Sequence, residues 1–398
     1  MSEKRRDSKN RILHNGETQM TDGRYRYRYV DANGIQQNIY SWRLDKNDRI
    51  PAGKKSELSL REKEKLIQED LFEQIVSNGG NYTVLDIVKK YTSIKVGVRD
   101  STKAGYNTVI KFLSKDDFGK KRIDKVTMSD AKLWLVDLQK NGKGYSTIHT
   151  IRGVLRPAFR MAYDDNLIRK NPFDFELADI IVNDSVTREA ISREQERNFL
   201  NFLKNDKHYS QYYDVIYILF NTGVRISEFC GLTKKDIDFK KKCVNINKQL
   251  RRNIEMKYYI EKPKTESGNR IIPMTADVEK CFKNIISNRP TPKTEIVIDG
   301  FCGFLCLDKN NMPKVAMHWE HCMKDAVNKY NSIYKEELPD ITPHVCRHTF
   351  CTKMAKSGMN PKTLQYVMGH SDIYVTLNTY THFKFEDAQE EMLRFATS

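Results

Sequence analysis

A chain of 398 residues, 39% hydrophobic and 30% charged, has the composition of a folded protein of two to four domains and excludes a wholly disordered one. Lys and Arg number 68 against 52 Asp and Glu, and the resulting net charge of +16 favours a polyanionic partner, either nucleic acid or an anionic membrane surface. No stretch approaches the ~18 apolar residues of a membrane span, and Met1-Ser2-Glu3-Lys4-Arg5-Arg6-Asp7 has no apolar run behind it to make a secretory signal. No membrane partner is expected, and polyanion binding remains.

In chain order, the polar, basic stretch 1–55 carries strand signals. Arg24-Tyr25-Arg26-Tyr27-Arg28-Tyr29 alternates, which in a strand puts three arginines on one face and three tyrosines on the other. Asn33-Gly34 is a hairpin turn signal, and 35–43 reads as the return strand, with Ile39 and Trp42 available for packing. A two-stranded ribbon fits the DNA major groove, so Arg24, Arg26 and Arg28 are candidate DNA contacts. Ser59-Leu60-Arg61-Glu62 is a capping box that opens a helix with Ile67, Leu71 and Ile75 on one face. Asn78-Gly79-Gly80-Asn81 breaks the chain.

Residues 82–173 read as helices only. Val84, Leu85, Val88 and Tyr91 mark one; Tyr106, Val109, Ile110 and Leu113 a second; Leu133, Trp134, Val136 and Leu138 a third; and 145–166, with a kink at Pro157, a fourth. Lys120, Lys121 and Arg122 lie between them and are candidate contacts to a DNA backbone. A connection over 174–190 follows. The capping box Ser192-Arg193-Glu194-Gln195 then opens a mainly helical region, interrupted by strands at 243–246, 257–260 and 270–272. The chain is therefore mainly α with small β-sheets, an α+β protein.

All eight cysteines lie between Cys230 and Cys351, and most sit among apolar neighbours, which suits a reduced, cytoplasmic protein. Zinc ligands could be drawn from Cys302, Cys306, His318, His321 and Cys322. However, the Cys302–Cys306 spacing is apolar inside and has no second matched pair, so no metal is expected.

Six residues of the last region form an ordered set: Arg225, Lys264, His344, Arg347, His370 and Tyr380. They stand in Thr222-Gly223-Val224-Arg225-Ile226-Ser227-Glu228, Pro263-Lys264-Thr265, His344-Val345-Cys346-Arg347-His348-Thr349-Phe350, Met368-Gly369-His370-Ser371 and Thr379-Tyr380-Thr381-His382. In these strings, their order and their spacing the chain resembles the tyrosine recombinase (phage-type integrase) family, with Met368 where the family more often has Leu. The N-terminal ribbon resembles the arm-binding domain of integrases from Gram-positive conjugative transposons.

The resemblance implies a three-stranded arm-binding sheet plus helix (1–78), a helical core-binding domain (82–173), the connection (174–190) and a mixed, mainly helical catalytic domain with a C-terminal tail (191–398). It implies attack by Tyr380 on a phosphodiester, giving a 3′-phosphotyrosine and a free 5′-hydroxyl. Tyrosine is a weak nucleophile and needs help. Arg225 and Arg347 would clamp the phosphate oxygens, His370 would add a hydrogen bond, His344 would take the tyrosine proton, and Lys264 would protonate the leaving oxygen. The arginines supply the charge that a metal gives elsewhere, so no cofactor is expected. The expected partners are double-stranded DNA at core-type and arm-type sites, a homotetramer assembled on DNA, a small excision factor and a host DNA-bending protein. Met392, Leu393 and Phe395 in the tail would pack either on their own domain or on a neighbouring protomer. Two alternatives are a type IB topoisomerase-like nicking–closing enzyme and a catalytically silent DNA-binding regulator.

Overall fold

The structure, a computed structural model, describes residues 4–31, 34–72, 82–185, 189–253, 255–263, 266–380, 389 and 392–393. The chain divides into two compact units, 1–185 and 186–398. Among the described residues no helix is long and apolar enough to cross a membrane.

The first unit opens with an antiparallel sheet, β1 (Glu17–Gln19), β2 (Tyr25–Val30) and β3 (Gln36–Ser41), in the order β1-β2-β3. The alternation in β2 does what its period demands: Tyr25 and Tyr27 are buried, packed with Leu44 and Leu60, and Tyr29 and Ile39 close the same cluster. Asn33 of the hairpin turn lies outside the described residues; the turn closes through Gly34 N to Asp31 O (2.9 Å), with Gly34 at φ +77. Helix α1 (Leu60–Phe72) starts at the expected box, where Ser59 N donates to Glu62 Oε2 at 2.9 Å. Ile75 lies outside the described residues. Trp42 does not join the tyrosine side. Its ring lies under Arg24 (5.8 Å) and Lys54 (4.6 Å), so its indole face is paired with cations instead of aliphatic groups.

This apolar cluster is small, and ion pairs surround it. Arg11 donates to Asp7 Oδ2 (2.8 Å), Asp48 Oδ1 (2.8 Å) and the Tyr25 hydroxyl (3.0 Å), while Arg61 donates to Glu17 Oε1 (3.0 Å) and Asp45 Oδ1 (3.1 Å).

Helices α2 (Val84–Ile94), α3 (Asp100–Lys115), α4 (Asp117–Lys120), α5 (Met128–Lys140) and α6 (Tyr145–Asp164) follow. Thr83 with Asp86 and Thr127 with Asp130 form capping boxes, and Pro157 lies inside α6. Their core centres on Val88, Leu113, Leu135, Phe159 and Phe173. Leu133, expected on the inner face of α5, is 64% exposed, because the buried stripe is Ala131, Leu135 and Leu138. The stretch expected to be a connection packs down as far as residue 184. Leu177 and Ile181 are buried, Gln139 and Val182 exchange two hydrogen bonds (2.7 and 3.2 Å), and Asp184 Oδ1 accepts from Tyr145 N (2.8 Å) at the start of α6. Its few apolar residues are spaced to reach the helical core although its composition is polar.

The second unit contains α7 (Arg193–Asn205), α8 (Tyr213–Thr222), α9 (Ile226–Cys230), β4 (Ile237–Asp238), β5 (Cys243–Ile246), β6 (Gln249–Arg252), β7 (Tyr258–Glu261), β8 (Arg270–Pro273), α10 (Ala276–Ser287), α11 (Ala316–Ile333), α12 (Pro343–Lys356), α13 (Pro361–Met368) and α14 (Ile373–Tyr380). Helix α8 is apolar on most sides and packs between α10 and α12. The core around it includes Phe199, Phe220, Phe229, Phe282, Trp319 and Met323.

The strands expected at 257–260 and 270–272 do not pair with each other. β7 pairs with β6, whereas β8 pairs with β5 in the β4-β5-β8 sheet, so the segment carrying Lys264 joins two different sheets. Of the weighed zinc ligands, His318 spends Nδ1 accepting the Val315 amide (3.0 Å) at the start of α11.

Candidate active site

Two glycines in the left-handed region frame the site. Gly223 (φ +63) ends α8 and turns the chain into Arg225, the N-cap residue of α9; a Cβ on it would stand 2.5 Å from a Phe350 ring carbon and 2.8 Å from Met368 Sδ. Gly369 (φ +64) ends α13, where a Cβ would meet Arg270 Nη1 at 2.9 Å.

The C-terminus of α13 gathers three arginines on three successive carbonyls. Val367 O accepts from Arg270 Nε (2.7 Å), Met368 O from Arg347 Nη2 (2.5 Å) and Gly369 O from Arg225 Nη2 (3.1 Å). The last carbonyls of a helix lack intrahelical partners and form the negative end of its dipole, so guanidiniums suit them. Arg347 also donates to Gly223 O, which ties both glycine turns to one side chain. His370 is the next residue after this cap, and its Nδ1 lies 2.9 Å from Thr376 Oγ1.

Glu228 and Arg270 are the site residues that sequence reading passes over. Glu228 is fully buried and accepts from Arg225 N (2.9 Å), Arg225 Nη1 (2.8 Å) and Arg270 Nη2 (2.8 Å). It thereby fixes the Arg225 fork from behind. A signal for both exists in the sequence: Glu228 lies one helical turn after Arg225, and Arg270 shares an inward strand parity with Ile272.

The Tyr380 hydroxyl donates to Met359 O (2.5 Å), beyond the end of α12. His344 and Arg347 share α12, which Pro343 opens; Arg347 points into the core, while His344 is exposed with its ring 5.1 Å from that of His348. Lys264 lies outside the described residues. The structure thus brings Arg225, Arg347 and His370 together around α13, and it holds the Tyr380 hydroxyl on a backbone carbonyl.

Of the candidate DNA contacts, Arg24 pairs with Asp22 (2.7 Å) and lies over Tyr40 (5.3 Å). Arg26 is half-buried, with its Nε lacking a hydrogen-bond partner among the described residues, and Arg28 is exposed. Lys120 pairs with Asp117 (2.8 Å) and Arg122 with Asp124 (3.0 Å), while the Lys121 amine lies 3.9 Å from Asp130. All three are matched locally to carboxylates, which dilutes their field.

Residues 189–387 match the model of the phage integrase family, and residues 1–71 match the DNA-binding domain of Tn916 integrase. The chain is 46% identical to the transposase from transposon Tn916 of Enterococcus faecalis over 394 residues, 99% of this chain and 97% of that one. The chain belongs to the phage integrase family. It is a site-specific tyrosine recombinase, an enzyme that cleaves and rejoins DNA. The transposase from transposon Tn1545 of Streptococcus pneumoniae is equally similar, at 46% over the same share of both chains. In structure, the chain resembles the Tn1549 transposon integrase solved in complex with a circular intermediate DNA, with a TM-score of 0.75 and 43% identity over 79% of this chain and 99% of that one. The topoisomerase-like and regulatory alternatives are not favoured.

The electrostatics of the recombinase site follow from burial. Arg347, 5% exposed and donating to carbonyls, is pushed down to about 9 by burial and then by the Arg225 charge; it remains a cation at neutral pH. His370 is pushed down to about 4 by burial and the charges of Arg347, Arg225 and Arg270, so it is neutral. Burial would raise the Glu228 carboxyl, but Arg270 and Arg225 hold it below its ordinary value. Burial, with a smaller effect of Cys351, raises the Tyr380 phenol. A buried guanidinium, Arg347, beside the half-exposed one of Arg225, with a neutral donor next to them, makes a site that gains from a bound anion.

Proposed function

We propose that this recombinase excises and integrates a mobile element, cutting DNA with Tyr380 and exchanging strands through a Holliday junction. The observation that carries the reading is the Arg225–Arg347 pair fixed on the α13 cap beside His370, a cationic cradle whose Arg347 donates only to carbonyls among the described partners. A scissile phosphate supplies the missing negative charge, and its two non-bridging oxygens suit two planar forks.

Tyr380 leaves the Met359 carbonyl, and its oxygen bonds to phosphorus while His344 takes the phenolic proton. The bond to the 5′-oxygen breaks with its electron pair, and Lys264 protonates that oxygen. The products are a 3′-phosphotyrosine and a free 5′-hydroxyl. The covalent link retains the energy for rejoining, so no nucleotide cofactor enters, and the arginines carry the charge otherwise given by a metal.

Arm-type sites would be read by 1–78 through Arg26, Arg28 and the Arg24–Tyr40–Trp42 surface, and core-type sites by 82–173 and 191–398. The Tn1549 integrase complex, with circular intermediate DNA on a 43% identical chain, supports element-end DNA as substrate. A homotetramer on DNA, a small excision factor and a host DNA-bending protein complete the proposed assembly; Met392 is exposed and suits contact with a neighbouring protomer.

Covalent trapping on a nicked element-end duplex tests the reading. Wild type gives a protein–DNA band on a denaturing gel and a free 5′-hydroxyl on the cut strand, while Tyr380→Phe binds the duplex and gives no band. A band in Tyr380→Phe would overturn the nucleophile.

A further inference from the structure

We propose that Thr376 is a positioning residue that fixes the tautomer of His370, donating its hydroxyl proton to Nδ1 so that the ring keeps its own proton on Nε2, as a donor for the scissile phosphate. The inference rests on the reading of His370 as a phosphate-binding group.

Hydrogen-bond accounting around the buried hydroxyl assigns the proton. Thr376 is fully buried, and His370 Nδ1 is 2.9 Å from its oxygen. A hydroxyl in the middle of a helix commonly donates to the carbonyl four residues back, as Thr222 does to Ile218 O at 2.7 Å. Among the described residues Thr376 makes no such bond, and His370 Nδ1 is its one hydrogen-bonded neighbour. Were the ring to donate from Nδ1, the buried hydroxyl proton would have no acceptor, which carries the cost of an unmade bond. With the hydroxyl donating, Nδ1 is the acceptor and the imidazole N–H falls on Nε2.

The tautomer matters because the ring has one proton to give. Burial and then the charges of Arg347, Arg225 and Arg270 keep His370 neutral, down to about 4. A charged imidazole would donate from both nitrogens whatever its neighbours; a neutral one donates only where its partner leaves the proton. The ring is also held from its backbone, since His370 N donates to Gln365 O (3.1 Å) and Gln365 Nε2 donates to His370 O (3.1 Å). Thr376 stands on α14 one turn before Tyr380, so seating the nucleophile's helix and setting the histidine tautomer are one event.

Two readouts on the full-length chain decide it. The first is a 15N–1H correlation of imidazole nitrogens, with the His370 signal identified by its loss in His370→Gln. Wild type should show the proton on Nε2, and Thr376→Val should show a mixture of both tautomers. The second is single-turnover cleavage of the nicked duplex. Thr376→Val should slow cleavage about 10- to 100-fold, the size of losing one well-placed donor, with duplex affinity unchanged. Thr376→Ser, which keeps the hydroxyl, should cleave within about threefold of wild type.

A wild-type proton on Nδ1 overturns the proposal, as does a serine variant as slow as the valine one. Wild-type cleavage by Thr376→Val together with impaired cleavage by His370→Ala sinks the proposal and leaves the phosphate reading standing. Wild-type cleavage by His370→Ala removes that reading itself. Should Thr376→Val fail to fold, by circular dichroism and duplex binding, the wild-type tautomer and the serine variant still decide between the two proton positions.

Discussion

At the scale of residues, the site is an arrangement of charges that repel one another and are held together by backbone carbonyls. Arg225, Arg270 and Arg347 each cap one carbonyl at the end of α13, and Glu228 balances two of them from a fully buried position. Removing that carboxylate charge leaves the buried Arg270 guanidinium uncompensated. Glu228→Gln should therefore cost about 3–5 kcal/mol of stability in the second unit. It should also slow cleavage more than it weakens DNA binding; a thermal melt and single-turnover kinetics check both. The convergence of Arg225, Arg347 and His370 was foreshadowed in the sequence because residue type and local strings single them out. Glu228 and Arg270 were less legible, since each looks like an ordinary surface charge until the strand and helix that bury it are in place.

At the scale of elements, the two left-handed glycines decide whether the arginines converge. Gly369→Ala adds a methyl group 2.9 Å from Arg270 Nη1 in a backbone conformation unfavourable to alanine. It should cost about 1–3 kcal/mol and lower cleavage at least tenfold, read by denaturant melts and covalent trapping; stability and trapping equal to wild type would show that the α13 cap does not set the arginines. Periodicity placed most helices, and the capping boxes at Ser59 and Ser192 gave true starts. It failed where partners are set by long-range pairing. Nothing local in 257–273 says that β7 pairs backwards with β6 while β8 pairs with β5, because the choice depends on β6, a strand that sequence reading did not resolve.

At the scale of the whole molecule, the N-terminal sheet and α1 depend on charge more than the other segments, because their apolar cluster is small. Burial would raise the Asp48 carboxyl, but the Asp45 and Leu44 amides and Arg11 hold it down to about 2; Arg61 likewise holds Glu17, and Arg11 holds Asp7, below their ordinary values. Stability from these groups is present above their unfolded values near 4 and is lost as pH falls through the folded ones. Glu64 runs the other way. Burial and then Glu17 push it up from 4.5 to about 7, so its contribution is present below 4.5 and is lost as pH rises through about 7. Protection of peptides from 4–72 in the full chain, as hydrogen exchange relative to the intrinsic rate at each pH, should therefore be greatest near ~pH 5. Glu64→Gln should flatten the alkaline side and gain on the order of 2 kcal/mol of local stability at ~pH 8. An unchanged alkaline limb in that variant would show that Glu64 is not the group responsible.

The sequence alone determined the chemistry and the order of segments. A +16 chain, an alternating Arg–Tyr strand and six residues in fixed strings do not depend on how distant parts meet, since each is a property of composition, of a two-residue period or of a short motif. Tertiary structure decided what those residues face. It put Trp42 under cations, drew 174–184 into the helical core, buried Arg270 against Glu228, hung three arginines on one helix end and left the Tyr380 hydroxyl on Met359 O. In each case the partner is far along the chain, and only packing, which hides apolar surface and requires every buried polar group to find a bond, selects which distant groups meet.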